Sequence, residues 1–129
     1  MDHYKITKNF NFISSQYRCF GYRKSILDIS QTVPALHSGG ALSCVEILDL
    51  IYFGLMQVRS KVFFDKFIMS KGHSCIMQYI LLNRLGIISD EMLKGFCKKN
   101  GVLGCHPDYG NPGINAATGS LGHGMGLAA

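Results

Sequence analysis

Charge is scarce in this 129-residue chain: 16% of its residues are Asp, Glu, Lys or Arg, against 47% that are hydrophobic. So little charge beside so much apolar side chain excludes a disordered polyelectrolyte. Long apolar runs are missing too, since none approaches the roughly 20 residues of a membrane-spanning helix, and no membrane partner is expected. The opening MDHYKITKNFNF holds no apolar core of about 7 to 15 residues before a small-residue cleavage site, which points to a cytoplasmic location. No CxxC pair occurs among Cys19, Cys44, Cys75, Cys97 and Cys105. That odd set argues against a disulfide framework and for reduced thiols, three of them in apolar company and read as core. The net charge is +5, but apart from Arg23-Lys24 and Lys98-Lys99 the cations are spread along the chain. A nucleic-acid binder would gather them on one face with aromatic partners, so no nucleic-acid partner is expected; a diffuse positive balance suits small phosphorylated ligands. Linkers, repeats and low-complexity segments are absent, leaving one domain able to bury roughly two-thirds of its unfolded surface.

What is present is an alternation of periodic segments and turns. Phe20, Ile26, Leu27 and Ile29 recur at near-helical spacing before Pro34, which predicts a helix over 20–33. Leu42, Val45, Leu48, Leu50 and Ile51 mark a second helix over 42–56, with Ser43 and Glu46 in the spacing of a capping box. Residues 64–69 are aromatic and β-branched and read as a short buried strand. Ser70 is then placed to cap a helix over 71–85, almost wholly apolar in CIMQYILL and closed by Gly86. Ser89, followed by Asp90 and Glu91, opens a helix over 89–97, because acidic groups favour the positive end of a helix dipole. Turn formers dominate 100–119, and from Ser120 the chain reads as a loop entering a Gly- and Ala-rich helix. The order suggests an α/β fold, helix-rich with a short strand of the parallel type, in which ligands lie beyond the carboxyl end of the strand.

The segment IMSKGHS stands at such a junction. Gly72 and the free N–H groups of a first helical turn offer a phosphate oxygen a cradle, with His73 adding a further bond. The same residues equally describe a capped helix with a buried, hydrogen-bonded histidine. His37 precedes Ser38, Gly39 and Gly40, a loop that either lets backbone approach a ligand or joins two helices. His106, before Pro107, is a turn histidine that taken alone is structural as readily as catalytic. Convergence of His37, His73 and His106 on one side of the fold would separate a site from three unrelated residues.

Three stretches occur in a fixed order: HSGGALSCVEILDLIYF, SKGHSCIMQYILLNRLG and GCHPDYGNPGINAATGSLGHGMGLAA. Together they resemble the amino-terminal segment of transketolase, a thiamine diphosphate enzyme, across residues 17–129, with 1–16 left as an amino-terminal extension. The resemblance implies a partial thiamine diphosphate-binding fold. It assigns catalytic roles to His37 and His106, facing the thiazolium and the sugar substrate, where imidazoles bind hydroxyls and assist proton transfer. It places His73 against the cofactor diphosphate and the backbone of Gly119 and Leu121 against the aminopyrimidine. His123 stands where many transketolases have glutamine, and its role stays open.

One departure matters. Transketolases continue with a GDG motif and a downstream asparagine that hold the Mg or Ca ion bridging the diphosphate; no Gly-Asp-Gly occurs in these 129 residues, so no metal ligand is assigned. The family's second domain, with the glutamate that activates the cofactor and the dimer interface, is not encoded either. The chain therefore reads as a truncated transketolase-like segment. The implied reaction is transfer of a two-carbon ketol unit between sugar phosphates, carried out as part of a larger or complemented assembly, with a complementing carboxy-terminal polypeptide as the partner and a dimer when assembled, the chain being inactive alone. The alternative is a non-catalytic fragment or interaction module of the same ancestry. SKGH disfavours a third reading, deoxyxylulose phosphate synthase, which carries a different histidine motif.

Overall fold

In a computed structural model, the structure describes residues 10–34, 36–59 and 62–129. Its backbone is mostly helical, and the longest helix, α1 (Phe12–Ser30), starts where the Asn11 side chain accepts a hydrogen bond from Ser14 N. It begins earlier than the periodicity predicts, and the boundary drawn between residues 16 and 17 falls inside it; residues 1–9 lie outside the described part of the chain. The buried face also differs from the expected one. Cys19, Tyr22 and Ile26 point inward, while Phe20 is 71% exposed and Leu27 52%. Apolar residues surround α1, so spacing alone does not select the face that meets the core.

Where the second helix is predicted over 42–56, α3 (Val45–Leu50) runs into a π-helical turn, Ile51–Leu55, and a separate short helix, α2 (Ser38–Leu42), precedes them. The break follows from competing hydrogen bonds. Ser43 Oγ turns back to Gly40 O at 2.8 Å and Cys44 Sγ to Ala41 O at 3.2 Å, an outlet these side chains take at the expense of continued helix. The expected Ser43–Glu46 capping box is therefore not formed: Cys44 is the N-cap of α3, and Glu46 pairs with Arg23 of α1.

The predicted strand at 64–69 is also corrected. Among the described residues the β-structure is a two-residue antiparallel ladder, β1 (Val58–Arg59) with β2 (Val62–Phe63), and no parallel pairing is found. Beyond Phe63, Phe64 N donates to Gln57 O at 2.9 Å, and further along Asn115 Oδ1 accepts from Phe67 N at 3.1 Å and Thr118 Oγ1 donates to Met69 O at 2.6 Å.

A turn of 3₁₀ helix, Gly72–Ser74, leads into α4 (Cys75–Arg84), whose first eight residues are all buried. This helix is apolar all round because it is enclosed by α1, α2, α3 and α5, and each fully buried Ile or Leu on it contributes roughly 1.5–3 kcal/mol. Ser70 does not cap it; Ser74 is the N-cap, without a side-chain bond. Ser89 does cap α5 (Asp90–Lys94), accepting from Met92 N at 3.2 Å, as its sequence context predicts. The turn-rich stretch over 100–119 contains no helix or strand, and α6 (His123–Ala128) follows it.

An ion pair that sequence reasoning did not find locks α1 to α3. Asp49 is wholly buried, accepting from Arg18 Nε at 2.7 Å, from Arg18 Nη2 at 2.8 Å and from Ser15 Oγ at 2.6 Å. The guanidinium also lies 4.1 Å from the centre of the Phe53 ring. Each carboxylate oxygen is thus satisfied, the condition under which a buried charge is tolerated.

Candidate functional site

Four separate segments meet at one end of α4. The first is the turn before α2, where His37 is exposed and its ring centre lies 5.3 Å from that of His73. The second is Ser70–Ser74, carrying His73 itself. The third is the turn at Cys105–Pro107, and the fourth Thr118–Gly124. His37, His73 and His106, far apart in sequence, do come together.

Two glycines permit the approach. A Cβ on Gly40 would stand 2.9 Å from His73 Cδ2 and from Ser74 Oγ, and one on Gly72 would stand 2.9 Å from Thr118 O and 3.1 Å from His106 Cδ2. Such distances lie inside normal contact, so only a bare α-carbon lets these segments touch. Gly119 adjoins the same imidazole: a Cβ there would be 3.6 Å from His106 Cδ2.

The segments are fastened by side chains that bond to backbone. Thr118 Oγ1 holds Met69 O, Thr118 N donates to Pro107 O at 3.2 Å, and Gly124 N donates to Ser70 Oγ at 3.2 Å. Ser70 thus anchors α6 rather than starting α4. Tyr79, from within α4, donates to His106 O at 3.0 Å and so fixes the turn that carries His106. Lys71 Nζ donates to Gly40 O at 3.1 Å and to Ser43 Oγ at 2.7 Å, tying the His37 loop to the His73 turn. The positioning roles of Tyr79, Thr118, Ser70 and Gly40 were not found from sequence. All four lie inside the quoted motifs, but nothing local marks the role of Tyr79, whose hydroxyl partner is 27 residues away.

The electrostatics favour an anion. His73 titrates below its ordinary 6.5, first because the charged form loses solvent, and then because His37, Lys71 and His106 would all be positive beside it. Lys71 has two of three ammonium hydrogens engaged, leaving one donor. Ser74 Oγ is buried without a partner, next to the bare face of Gly40. Such a donor set fits a phosphorylated ligand, for which neutral imidazole N–H groups, a hydroxyl and one ammonium are suitable partners. Among the described residues no group of three His, Cys, Asp or Glu is placed to hold a metal ion.

The remaining expected site positions lie on the rim. Gly119 and Leu121 are exposed, and Leu121 presents a side chain 67% accessible. His123 is the exposed first residue of α6, with its backbone N–H on Ser120 O. No helix among the described residues is long and apolar enough to cross a membrane.

With this geometry in hand, relatives give it a family. Residues 21–129 match the family described as transketolase, thiamine diphosphate binding domain. The chain is 37% identical over 107 residues to one of the subunits of the apulose-4-phosphate transketolase of Phocaeicola vulgatus, covering 80% of this chain and 38% of that protein. It is 31% identical over 126 residues to the protein of the same name from Actinobacillus succinogenes, covering 93% and 46%. The Aquifex aeolicus transketolase is 34% identical over 108 residues, 79% of this chain and 16% of that protein. The chain therefore spans less than half the length of the curated relatives it matches. It belongs to the transketolase family, through the thiamine diphosphate binding domain.

Proposed function

We propose that residues 17–129 supply the amino-terminal part of a thiamine diphosphate site that transfers a two-carbon ketol unit between sugar phosphates, with residues 1–16 as an amino-terminal extension. The observation that carries this reading is the meeting of His37, His73 and His106 around the bare faces of Gly40 and Gly72. His73, the Ser74 hydroxyl and the N–H groups of the Gly72–Ser74 turn are the groups that would hold the diphosphate. The backbone at Gly119 and Leu121, with small or outward-facing side chains, would meet the aminopyrimidine. Thiamine diphosphate, when bound, supplies the electron sink for breaking and making a carbon–carbon bond. His37 and His106 would bind the sugar hydroxyls and assist proton transfer.

The rest of the site has to come from further protein. The Mg or Ca ligands, the activating glutamate and the second face of the cleft are not encoded in these 129 residues. Two relatives are named as single subunits of a transketolase, which supports a complementing polypeptide as partner. In this reading the assembled enzyme is a dimer. The experiment is a calorimetric titration of thiamine diphosphate with magnesium into the chain, alone and with a polypeptide bearing GDG and the second domain, followed by a ketol-transfer assay. Transfer is expected only in the complemented sample, and His106→Ala should abolish it. Robust turnover by the purified chain alone overturns the shared-site reading.

A second reading is favoured by one observation. Helix α1 leaves Phe12 71%, Tyr17 78% and Phe20 71% exposed, a surface suited to a protein partner. An interaction module without catalysis would show no cofactor binding even in the complemented assembly.

A further inference from the structure

The loop between α5 and the His106 turn contains the one Asn-Gly pair of the chain, Asn100–Gly101. Among the described residues the other asparagines have occupied side-chain amides. Asn11 Oδ1 accepts from Ser14 N at 2.9 Å and Asn115 Oδ1 from Phe67 N at 3.1 Å. Asn83 Nδ2 donates to Ile88 O at 3.0 Å and to Asp90 Oδ1 at 2.8 Å, and Asn111 Nδ2 donates to Val102 O at 3.2 Å. The Asn100 side chain is exposed and bonds to nothing. The following residue differs too. Asn11, Asn83 and Asn115 precede residues whose side chains crowd an approach of backbone nitrogen to the amide carbon, and Asn111 precedes Pro112, which has no N–H. The fold holds a glycine at 101: a Cβ there would overlap the backbone carbonyl of Gly95, which no side-chain rotation relieves. Gly101 N donates to Lys98 O at 2.9 Å, an exposed turn bond of the kind that opens at little cost. The ends of the loop are firmer, with Phe96 and Leu103 buried and Cys97 N donating to Leu103 O at 2.9 Å.

We propose that Asn100 is a site of spontaneous deamidation, its amide converting in water to aspartyl and isoaspartyl carboxylates, and that the isoaspartyl form displaces the loop leading to His106. In the first step Gly101 N loses its proton to hydroxide and attacks Asn100 Cγ. A new N–C bond closes a five-membered succinimide, the Cγ–Nδ2 bond breaks, and the departing nitrogen takes a proton from water, returning hydroxide and leaving as ammonia. In the second step water adds to one ring carbonyl and the C–N bond to that carbon breaks. Opening at Cγ leaves aspartate. Opening at the main-chain carbon leaves isoaspartate, with the chain running through Cβ and Cγ. One water is consumed and one ammonia released, with no change of oxidation state. Either product places a carboxylate beside Lys98 and Lys99. The isoaspartyl product also lengthens the main chain next to Gly101, where the contact with Gly95 leaves no slack.

The test incubates the purified 129-residue chain in mildly alkaline buffer, folded and in urea, and follows it by mass spectrometry. Trypsin cuts after Lys99, and the peptide 100–129 should separate into asparaginyl, aspartyl and isoaspartyl species, with fragment spectra placing the change at residue 100. Isoaspartyl methyltransferase should label the incubated intact chain. The folded chain should react within about tenfold of the rate in urea, because an exposed turn opens readily. The rate should rise about tenfold per pH unit, because the deprotonated amide is the attacking group. Asn100→Gln, which would have to close a six-membered ring, should fold as the parent does by circular dichroism and keep its mass. In the isoaspartyl form the amide resonances of Gly101 and Cys97 should move while those of the Tyr22 ring stay in place. A folded chain more than about tenfold slower than the unfolded one would overturn the proposal. So would modification at another asparagine, an equal mass gain in Asn100→Gln, or Gly101 and Cys97 resonances that stay where they are. The reaction needs no cofactor, so failure of cofactor binding leaves these readouts standing.

Discussion

The two halves of this molecule are held together in different ways. Around α1, α3 and α4 the order comes from side chains packed on side chains: eight consecutive buried residues on α4 and one buried carboxylate gripped by Arg18 and Ser15. Around the histidines it comes from a few side chains clamped on backbone, with Thr118 on Met69 O, Tyr79 on His106 O and Lys71 on Gly40 O. The first arrangement resists change because many contacts share the load. The second positions polar groups through a few bonds rather than through packing, and each clamp is a single point of failure.

The largest expected effect breaks the packed half. Asp49→Ala removes one partner of the buried pair and strands the Arg18 guanidinium, at a cost of about 3–5 kcal/mol. Urea unfolding followed by far-UV dichroism measures it. A loss below about 1 kcal/mol would mean that solvent reaches the pair and that the comparison is overdrawn.

The next substitution strikes the clamped half. Gly72→Ala introduces a methyl group 2.9 Å from Thr118 O and 3.1 Å from the His106 ring. The expected cost is smaller, about 1–3 kcal/mol, because loops yield more than cores. The His106 ring resonances should move while those of the Tyr22 ring on α1 stay in place. Equal disturbance of both regions would show that they are not separable.

The smallest effect is one of pH. Because the folded state holds the His73 pKa below its ordinary 6.5, the neutral ring is the one folding favours. Its contribution is complete above 6.5, and is lost as pH falls through 6.5 toward the lowered value. Acidification should therefore weaken the folded chain slightly. His37→Gln, by removing one positive neighbour, should move the His73 titration upward in an NMR experiment. An anionic ligand should move it the same way.

Much of the site was legible in the residues and much of its support was not. The three histidine-bearing motifs, the cap at Ser89 and the glycine-dense turns carry their signals within a few positions, so reading along the chain finds them. The roles drawn for Ser43 and Ser70 failed for a common reason. A serine hydroxyl bonds to whichever group packing brings nearest, and for Ser43 that is Gly40 O and the Lys71 ammonium. For Ser70 it is Gly124 N, 54 residues away.

By itself the sequence determined that this chain folds around an almost wholly apolar helix, that Ser89 starts a helix, and that bare backbone gathers near His106 and Gly119. Those are local consequences of side-chain polarity, capping chemistry and missing Cβ atoms. Tertiary structure alone decided that Cys19, Tyr22 and Ile26 rather than Phe20 and Leu27 face inward, and that Asp49 finds Arg18 31 residues away. It also decided that three histidines share one end of α4. The physical reason is that a helix with apolar residues all round, a buried charge and a turn histidine each have many satisfactory partners, and only the packing of every segment at once selects among them.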